Sequence, residues 1–306
     1  MKILITGGAG YVGHSLVSTL QNLASSGIEE LVVYDNLSRK NYSFFHHSDF
    51  NRVPMRFIEG ELLDERTLEK ALKGIDVVVH LAAKVTTPFS DQEAHLFDQI
   101  NHWGTALLVN SVLKSEVQHF VQLSSASIYG RTESAVDESF DPQPFSFYGI
   151  SKWNAEKQVA LLKDHCRLHI MRSGNVYGFN PSLRIDAVIN KYMFNAHFNG
   201  RIKVFGDGSQ QRAFIHVDKL ASALAGAIED TVIPGTYNVV EHNFSVNQVV
   251  AYVKHVCPEV EVLSVNPNVP MPKVTVKTPA KIWEQVDMPQ VGFLDELKAF
   301  QAAFAF

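Results

Sequence analysis

The chain has 306 residues, 46% of them hydrophobic, and a formal net charge of −5 from 27 Lys and Arg against 32 Asp and Glu. This length and apolar content allow a large folded core, and the charge balance argues against a nucleic acid as partner. The 2 Cys form no CxxC spacing, no apolar stretch has membrane-spanning length, and a strand pattern begins directly after Met1. We therefore predict a soluble, cytoplasmic protein with no disulfide framework, no signal peptide and no membrane attachment.

Hydrophobic periodicity predicts alternating strands and helices over roughly the first half of the chain. The predicted strands are residues 2–6, 31–34, 56–58, 76–80, 119–123 and 168–171. The predicted helices between them run from Val12 through Leu20 and over residues 65–72, 97–113 and 148–163. Alternation of this kind indicates the α/β class with a doubly wound parallel sheet.

Beyond residue 172 the pattern loosens into loops and separate helices. Helices are predicted near residues 187–198, 217–228, 246–256 and 294–304, and a loop is predicted for residues 266–279, which include four prolines. The change in composition predicts two interleaved units without a flexible linker. The larger unit comprises residues 1–172 and roughly 213–240, and the smaller unit comprises residues 173–212 and 241–306.

A glycine-rich loop lies between the first predicted strand and the first predicted helix, with glycines at Gly7, Gly10 and Gly13. In such a loop the first glycine permits a tight turn, the second lets backbone amides approach a pyrophosphate, and the third lets helix and strand pack closely. The helix beginning at Tyr11 and Val12 adds amides and a favourable dipole for the anion. These residues therefore predict a dinucleotide site on a Rossmann-type sheet.

Asp35 ends the second predicted strand, about 20 residues past this loop, where a carboxylate accepts hydrogen bonds from the adenosine ribose hydroxyls. A carboxylate repels a 2′-phosphate, so the position favours NAD over NADP. Arg39 and Lys40 follow directly, and either could meet a 2′-phosphate, so NADP remains as the less favoured cofactor.

Tyr148 and Lys152 are four residues apart at the start of a predicted helix and share one face of it. Upstream, Ser125 lies at the carboxyl end of a predicted strand, where ligands of open α/β sheets bind. An ammonium and a positively charged nicotinamide both favour the phenolate form of a tyrosine. We therefore predict that Tyr148 removes a proton from a substrate hydroxyl while Ser125 holds the oxygen or relays the proton.

Together these motifs make the chain resemble the extended short-chain dehydrogenase/reductases of the NAD-dependent nucleotide-sugar epimerase/dehydratase group, and in particular its UDP-glucose 4-epimerase-like members. The similar segments follow family order and are residues 6–13, 34–38, 80–83, 101–105, 124–130, 148–152, 172–178 and 206–212. The resemblance implies that the larger unit binds NAD and that the smaller, C-terminal unit binds the substrate, a nucleotide-diphosphate sugar. It also implies a homodimer.

The resemblance also implies residues at both ligands. Beside the glycine loop, Asp35, Tyr148 and Lys152, it places Asn36, Ser38, Glu61, Leu62, Leu81, Ala82, Ala83 and Asn101 at the cofactor. At the substrate it places Ser125, Ser127, Tyr148, Asn175 and Arg212, with Asn175 and Arg212 facing the diphosphate. Members of the family often supply a further phosphate-binding arginine from the C-terminal part, but no arginine follows Arg212 here. Arg184 is the candidate from earlier in the chain, and Lys273 and Lys277 are later ones.

Ala126 and Ser127 occupy the positions at which 4,6-dehydratases of the group carry an Asp-Glu pair, so dehydration is disfavoured. The leading hypothesis is an NAD-dependent nucleotide-sugar 4-epimerase that works through a transient 4-keto sugar. One alternative is an NAD(P)H-dependent nucleotide-sugar 4-ketoreductase, and another is a non-catalytic dinucleotide-sensing protein on the same fold. The 13 histidines include no HxxxH or HExxH pattern, so we predict no metal site.

Overall fold

The computed structural model describes residues 1–23, 27–46, 50–85, 94–266 and 273–304. In chain order the strands are β1 (Lys2–Thr6), β2 (Glu30–Asp35), β3 (Met55–Glu59), β4 (Val77–His80), β5 (His119–Ser125), β6 (Arg167–Ser173), β7 (Asn175–Tyr177), β8 (Arg201–Phe205), β9 (Gln211–His216), β10 (Gly235–Val239), β11 (His242–Ser245) and β12 (Glu261–Val265). The α-helices are α1 (Tyr11–Asn22), α2 (Glu65–Ala71), α3 (Ala94–Phe97), α4 (Gly104–Leu113), α5 (Phe147–Val159), α6 (Val188–Asn199), α7 (Val217–Ile228), α8 (Val246–Val256) and α9 (Phe293–Ala302).

Seven strands form a parallel central sheet in the order β10-β6-β5-β4-β1-β2-β3. The chain runs outward from β1 through β2 and β3, then returns to the other side of β1 at β4. The crevice at the carboxyl ends of β1 and β4 is therefore the topological switch point, where open α/β sheets bind their ligands. The predicted Rossmann-type fold is confirmed.

The central strands are buried on both faces, which explains their nearly continuous apolar sequences. Ile3 and Ile5 of β1 pack into one hydrophobic cluster with α1 and α7. Leu4, between them, points to the opposite face and packs into a second cluster with α2, α4 and α5. No helix in the described part of the chain is long and apolar enough to cross a membrane.

Two smaller sheets lie outside the central one, with strand orders β11-β9-β7 and β12-β8. Strand β9 pairs in parallel with β7 and antiparallel with β11. Their apolar side chains share a third hydrophobic cluster with α6, α8 and α9, which includes Phe293 and Phe300 of the final helix and Phe304 just beyond it. Asn175 and Arg212 are thereby placed on adjacent strands of one small sheet.

The structure differs from the predicted elements in the strands β7 to β12, which were not predicted, and in one predicted helix. The single helix predicted over 97–113 consists of α3, a π-helical turn at Asp98–Trp103, and α4. The π turn adds a residue per turn and brings Asn101 into the interior, where it is buried. Residues 267–272 of the predicted loop lie outside the described residues, and beyond them Val276 forms an isolated bridge with Val136.

Candidate active site

The loop after β1 has the backbone geometry that its glycines predict. Gly7 has φ of +70°, and a Cβ there would lie 2.6 Å from the backbone nitrogen of Ala82. A Cβ on Gly13 would lie 2.5 Å from the Cα of Gly8, so both positions require glycine. Gly10 is the N-cap of α1, and among the described residues no side chain caps this helix. Its first amides thus face the crevice without a side-chain acceptor, as a pyrophosphate site requires.

Tyr11 and Val12 form the first turn of α1 and present backbone amides at this site. The Tyr11 side chain points away from the loop, because its buried hydroxyl donates to the carbonyl of Gly178 over 2.6 Å. Burial raises the pKa of this phenol. The contribution of Tyr11 to an anion site is therefore limited to its backbone.

Asp35 organises the adenosine end of the crevice. Its carboxylate accepts the backbone N–H of Leu37 at 2.8 Å and of Ala9 at 3.1 Å. Burial raises the pKa of Asp35, and these backbone donors oppose the rise. Arg39, which the sequence leaves open as a 2′-phosphate ligand, has its Nη1 3.4 Å from a carboxylate oxygen of Asp186. Arg39 is therefore already paired with a carboxylate.

The remaining adenosine-side residues surround Asp35. Asn36 donates through Nδ2 to both carboxylate oxygens of Glu61, at 3.1 and 3.0 Å, and accepts the Ser38 amide at 3.0 Å. Leu62 is buried beside them in the cluster that contains Tyr34. The Asn36 and Glu61 side chains and the Ser38 backbone thus form one connected rim after β2 and β3.

Leu81, Ala82 and Ala83 follow β4 and lie across the crevice from the glycine loop. The amide of Leu81 donates to Thr6 at 3.0 Å, which holds this segment against β1. Asn101 fixes the next residue, accepting the Lys84 amide at 2.8 Å and donating to the Lys84 carbonyl at 2.9 Å. Asn101 therefore fixes the backbone of the segment that follows β4.

His80, which the sequence did not single out, connects this segment to the core. Its Nδ1 lies 2.6 Å from the Thr6 hydroxyl and its Nε2 2.9 Å from the Thr105 hydroxyl. Thr105 donates its only proton to the Asn101 carbonyl at 2.6 Å. It must therefore accept from His80 Nε2–H, and the bare Nδ1 accepts from Thr6. Burial lowers the pKa of His80 to about 3, and the Lys152 ammonium acts in the same direction.

This neutral histidine predicts a pH dependence of stability. His80 binds its proton near 6.5 in the unfolded chain and only near pH 3 when folded. The contribution of the neutral His80 to stability is therefore fully present above the pKa of the unfolded chain. As the pH falls below that pKa, the free energy of unfolding decreases by up to about 1.4 kcal/mol per pH unit. We expect His80→Gln to be less stable at neutral pH and to lose stability less steeply on acidification.

Urea unfolding of both proteins between about pH 7 and pH 4 measures the difference. His119 and His169, whose pKa values are also lowered by burial, contribute equally to both proteins and cancel in the comparison. Parallel curves for the wild type and His80→Gln would contradict a neutral His80.

The predicted catalytic residues meet at the carboxyl end of β5. Ser146 caps α5 by accepting the Gly149 amide at 3.0 Å, which starts the helix at Phe147 and places Tyr148 in its first turn. Ser125 ends β5, donates to the Ser127 hydroxyl at 3.1 Å and accepts the Ser127 amide at 3.2 Å. Burial raises the pKa of Tyr148, while the Arg184 guanidinium and the Ser125 hydroxyl act to lower it.

Lys152 lies one turn further along α5 and is buried. Its ammonium donates to the carbonyl of Leu123 in β5 over 2.6 Å. Burial lowers the pKa of Lys152 to about 8, and the Glu156 carboxylate acts in the opposite direction. With a pKa of about 8, Lys152 is mainly in its ammonium form at neutral pH, and this charge favours a nearby phenolate.

The substrate-side residues are arranged on β7, β9 and the loop that follows β7. Asn175 is exposed and donates one amide proton to the Ala213 carbonyl at 3.0 Å. Arg212 is partly buried, burial lowers its pKa, and within the described part of the chain its guanidinium has no hydrogen-bond or ion-pair partner. Such a cation is suited to an anionic ligand.

The candidates for a second phosphate-binding cation differ in their surroundings. Arg184 contacts the Asp186 carboxylate through Nε at 3.2 Å and Nη2 at 3.3 Å, and it acts electrostatically on Tyr148. Lys277 is 2.7 Å from Asp137, so an anion would have to displace that carboxylate. Both cations are thus paired with a carboxylate, and what distinguishes Arg184 is its electrostatic action on Tyr148.

Within the described residues, no group of three or more His, Cys, Asp or Glu side chains could hold a metal ion. The crevice thus combines a dinucleotide loop, an acidic ribose position and a Ser-Tyr-Lys set on one Rossmann-type sheet, which defines a dinucleotide-dependent oxidoreductase class. Over residues 3–239 the chain matches the model of the NAD dependent epimerase/dehydratase family, and it belongs to this family. It is an enzyme of the extended short-chain dehydrogenase/reductase type.

The known proteins that the chain resembles include a putative 4-epimerase and 4,6-dehydratases. It is 30% identical to a putative UDP-glucose 4-epimerase of Methanocaldococcus jannaschii over 230 residues, 72% of this chain and 71% of that one. It is 27% identical to the low-salt glycan biosynthesis protein Agl12 of Haloferax volcanii over 245 residues, 78% and 76% of the two chains. The solved structure of the dTDP-glucose 4,6-dehydratase DesIV of Streptomyces venezuelae, with NAD and TYD bound, superposes with a TM-score of 0.87 at 24% identity, covering 99% of this chain and 96% of that one.

Proposed function

We propose that this enzyme is an NAD-dependent nucleotide-sugar 4-epimerase. The observation that carries the proposal is the composition of the site around Tyr148. Ser125, Tyr148 and Lys152 are together, while the 3₁₀ helix that follows Ser125, Ala126–Tyr129, contains no carboxylate. The side chains can therefore move a proton to and from a sugar hydroxyl, but no acid is placed there to expel water.

Three residues, Ser125, Tyr148 and Lys152, carry out the proton transfer in this proposal. Bound NAD supplies a hydride acceptor that can return the hydride after the sugar has turned. Tyr148, as phenolate, takes the proton of the sugar 4-hydroxyl, and the Ser125 hydroxyl holds the oxygen during oxidation to the transient 4-keto sugar. Lys152 stabilises the phenolate through its charge. Tyr148 then returns the proton when the opposite face of the ketone is reduced.

The cofactor fits the residues present. The glycine loop leaves no space for a Cβ at Gly7 or Gly13, the α1 amides are available to the pyrophosphate, and Asp35 faces the ribose position. The pair of Arg39 and Asp186 supports NAD over NADP. We assign the diphosphate of the sugar nucleotide to Arg212 and Asn175, with Arg184 beside the reacting end of the substrate.

The loop that follows β7 supports an epimerase over a ketoreductase, because an epimerase keeps one cofactor through its cycle. This loop contacts the cofactor side of the crevice at several places. Three of these contacts are Tyr11 hydroxyl to Gly178 carbonyl at 2.6 Å, Ser182 hydroxyl to Ala9 carbonyl at 3.2 Å, and Arg39 to Asp186 at 3.4 Å. Each contact resists the opening that cofactor exchange requires.

The proposal also covers the domain organisation, the cellular location and the oligomeric state. Residues 1–172 with roughly 213–240 form the NAD-binding domain, and residues 173–212 with 241–306 form the substrate-binding domain. We propose a cytoplasmic homodimer, since Trp103, Phe147 and Ile150 expose 59%, 48% and 41% of their surfaces on and beside the helices α4 and α5.

The test combines the retained cofactor with the reaction. We expect the purified protein to release NAD on denaturation, detected by mass spectrometry. We also expect it to interconvert C4 epimers of one UDP-, dTDP-, CDP- or GDP-hexose without added cofactor and without net change in absorbance of reduced nicotinamide. Consumption of added NADPH with a 4-keto sugar would show the ketoreductase, and water loss from the hexose would show a dehydratase.

A further inference from the structure

A buried ion pair lies directly behind Lys152, and neither the sequence motifs nor the proposed reaction uses it. Glu156 is one helical turn beyond Lys152 on α5, and Arg172 is on the adjacent strand β6. The two side chains are 3% and 7% exposed. Buried charges are costly unless they are fully paired, so the position of this pair calls for a physical role.

The pair is bound by several hydrogen bonds. Arg172 donates through Nη2 to Glu156 at 2.8 Å and through Nε to both carboxylate oxygens at 3.2 Å. The Ser124 hydroxyl donates to the same carboxylate. Arg172 also donates to the Tyr129 hydroxyl at 3.0 Å. The ion pair is therefore fixed in the interior and connected to β5 and to the 3₁₀ helix of the site.

Both connections lead to catalytic residues. Ser124 stands between Leu123, whose carbonyl accepts from Lys152 at 2.6 Å, and Ser125. Glu156 thus holds the segment of β5 that positions the lysine ammonium and the serine hydroxyl. On the basis of the proposed function, we propose that Glu156 and Arg172 are positioning residues that hold β5 against Lys152 and balance the charge around its ammonium.

The pKa of Lys152 depends on the charged and titratable groups that face its ammonium. On its own helix the charged group is Glu156, with the Tyr148 phenol, whose pKa burial raises, one turn before Lys152. From β6 it is Arg172 through its partner Glu156. From β4 it is His80, which burial keeps neutral. Glu156 favours the charged ammonium, and Arg172 opposes it by neutralising Glu156. The two members of the pair therefore act on Lys152 with opposite signs.

Because Glu156 and Arg172 shift the pKa of Lys152 in opposite directions, substituting each of them distinguishes this proposal from a purely structural role. In Glu156→Gln the carboxylate is lost and Arg172 remains, so Lys152 loses its proton at a lower pH. In Arg172→Met the carboxylate remains, is ionised at alkaline pH, and has only Lys152 as a cationic neighbour, so Lys152 keeps its proton to a higher pH. We expect the alkaline limb of the epimerisation rate to move by about one pH unit in each direction, and the double variant to lie between them.

The Lys152 charge is also measured without turnover, by NMR titration of the intact protein carrying ¹³C-labelled lysine, with Lys152→Arg to identify the signal. Opposite shifts in the two single variants support the inference even if no hexose is epimerised, in which case only the proposed reaction fails. Shifts in the same direction, or no shift in either variant, would overturn the inference. If Arg172→Met does not fold, Arg172→Gln together with the double variant provides the same comparison.

Discussion

Tyr148→Phe is expected to reduce epimerisation about 10³-fold, since general acid–base catalysis by a positioned side chain contributes on this order. The substitution removes only the hydroxyl, and the ring keeps its edge contact with Phe97 at 6.0 Å between centroids. The fold and the cofactor should therefore be retained. The measurement is the initial rate on the best UDP-, dTDP-, CDP- or GDP-hexose, together with the NAD content of the purified variant.

Tyr237→Phe is the matched control. It also removes one phenolic hydroxyl, which donates to the Ile233 carbonyl at 2.8 Å on the outermost strand of the central sheet. We expect wild-type activity from this variant. Unchanged biological function in Tyr148→Phe, with the dinucleotide still bound, would instead establish the non-catalytic, dinucleotide-sensing protein.

Arg212→Met is expected to raise KM for the nucleotide sugar by about 10- to 100-fold, because a charge-assisted contact to phosphate contributes about 1.5–3 kcal/mol. The rate at saturation should change less, since Arg212 faces the diphosphate in our proposal and Tyr148 the reacting carbon. Stability should not fall, because the described structure gives the guanidinium no partner to lose. Steady-state kinetics and urea unfolding measure these quantities.

Arg201→Met controls for the general loss of a positive charge. Arg201 is exposed and its Nη2 is 3.2 Å from a carboxylate oxygen of Glu261, so its removal should leave KM unchanged. An Arg212→Met enzyme with normal KM would contradict the assignment of Arg212 to the substrate. A large loss of stability would show that Arg212 is structural.

The features predictable from the sequence are those that one short segment specifies. The glycine loop is such a segment, because its turn and its helix start follow from residues 7–13, whereas its close approach to Ala82 required the structure. Asp35 and the spacing of Tyr148 and Lys152 are specified in the same local way. The parallel order of the first strands follows from strand and helix alternation.

The strands beyond residue 172 were not predicted, because they are short: β7 has three residues and β8 has five. Such short strands are defined by their partners, which are distant in sequence. The π turn that buries Asn101 likewise depends on contact with Lys84 and Ser151.

His80, Glu156 and Arg172 were missed for a related reason. Each pairs with residues that are distant in sequence or lie on another element, and sequence alone does not show which polar residues are buried together. A signal existed for Glu156, since a carboxylate one turn after Lys152 shares the inward face of α5. Its pairing with Arg172 required the tertiary structure.

The fate of a deuterium placed at C4 of the nucleotide hexose tests the proposed reaction most directly. The account predicts that the enzyme, with no cofactor added, forms the C4 epimer with the deuterium still at C4 and none in the solvent. Deuterium found on another carbon, or a label that leaves the sugar for an exchanging dinucleotide, would contradict the 4-epimerase assignment.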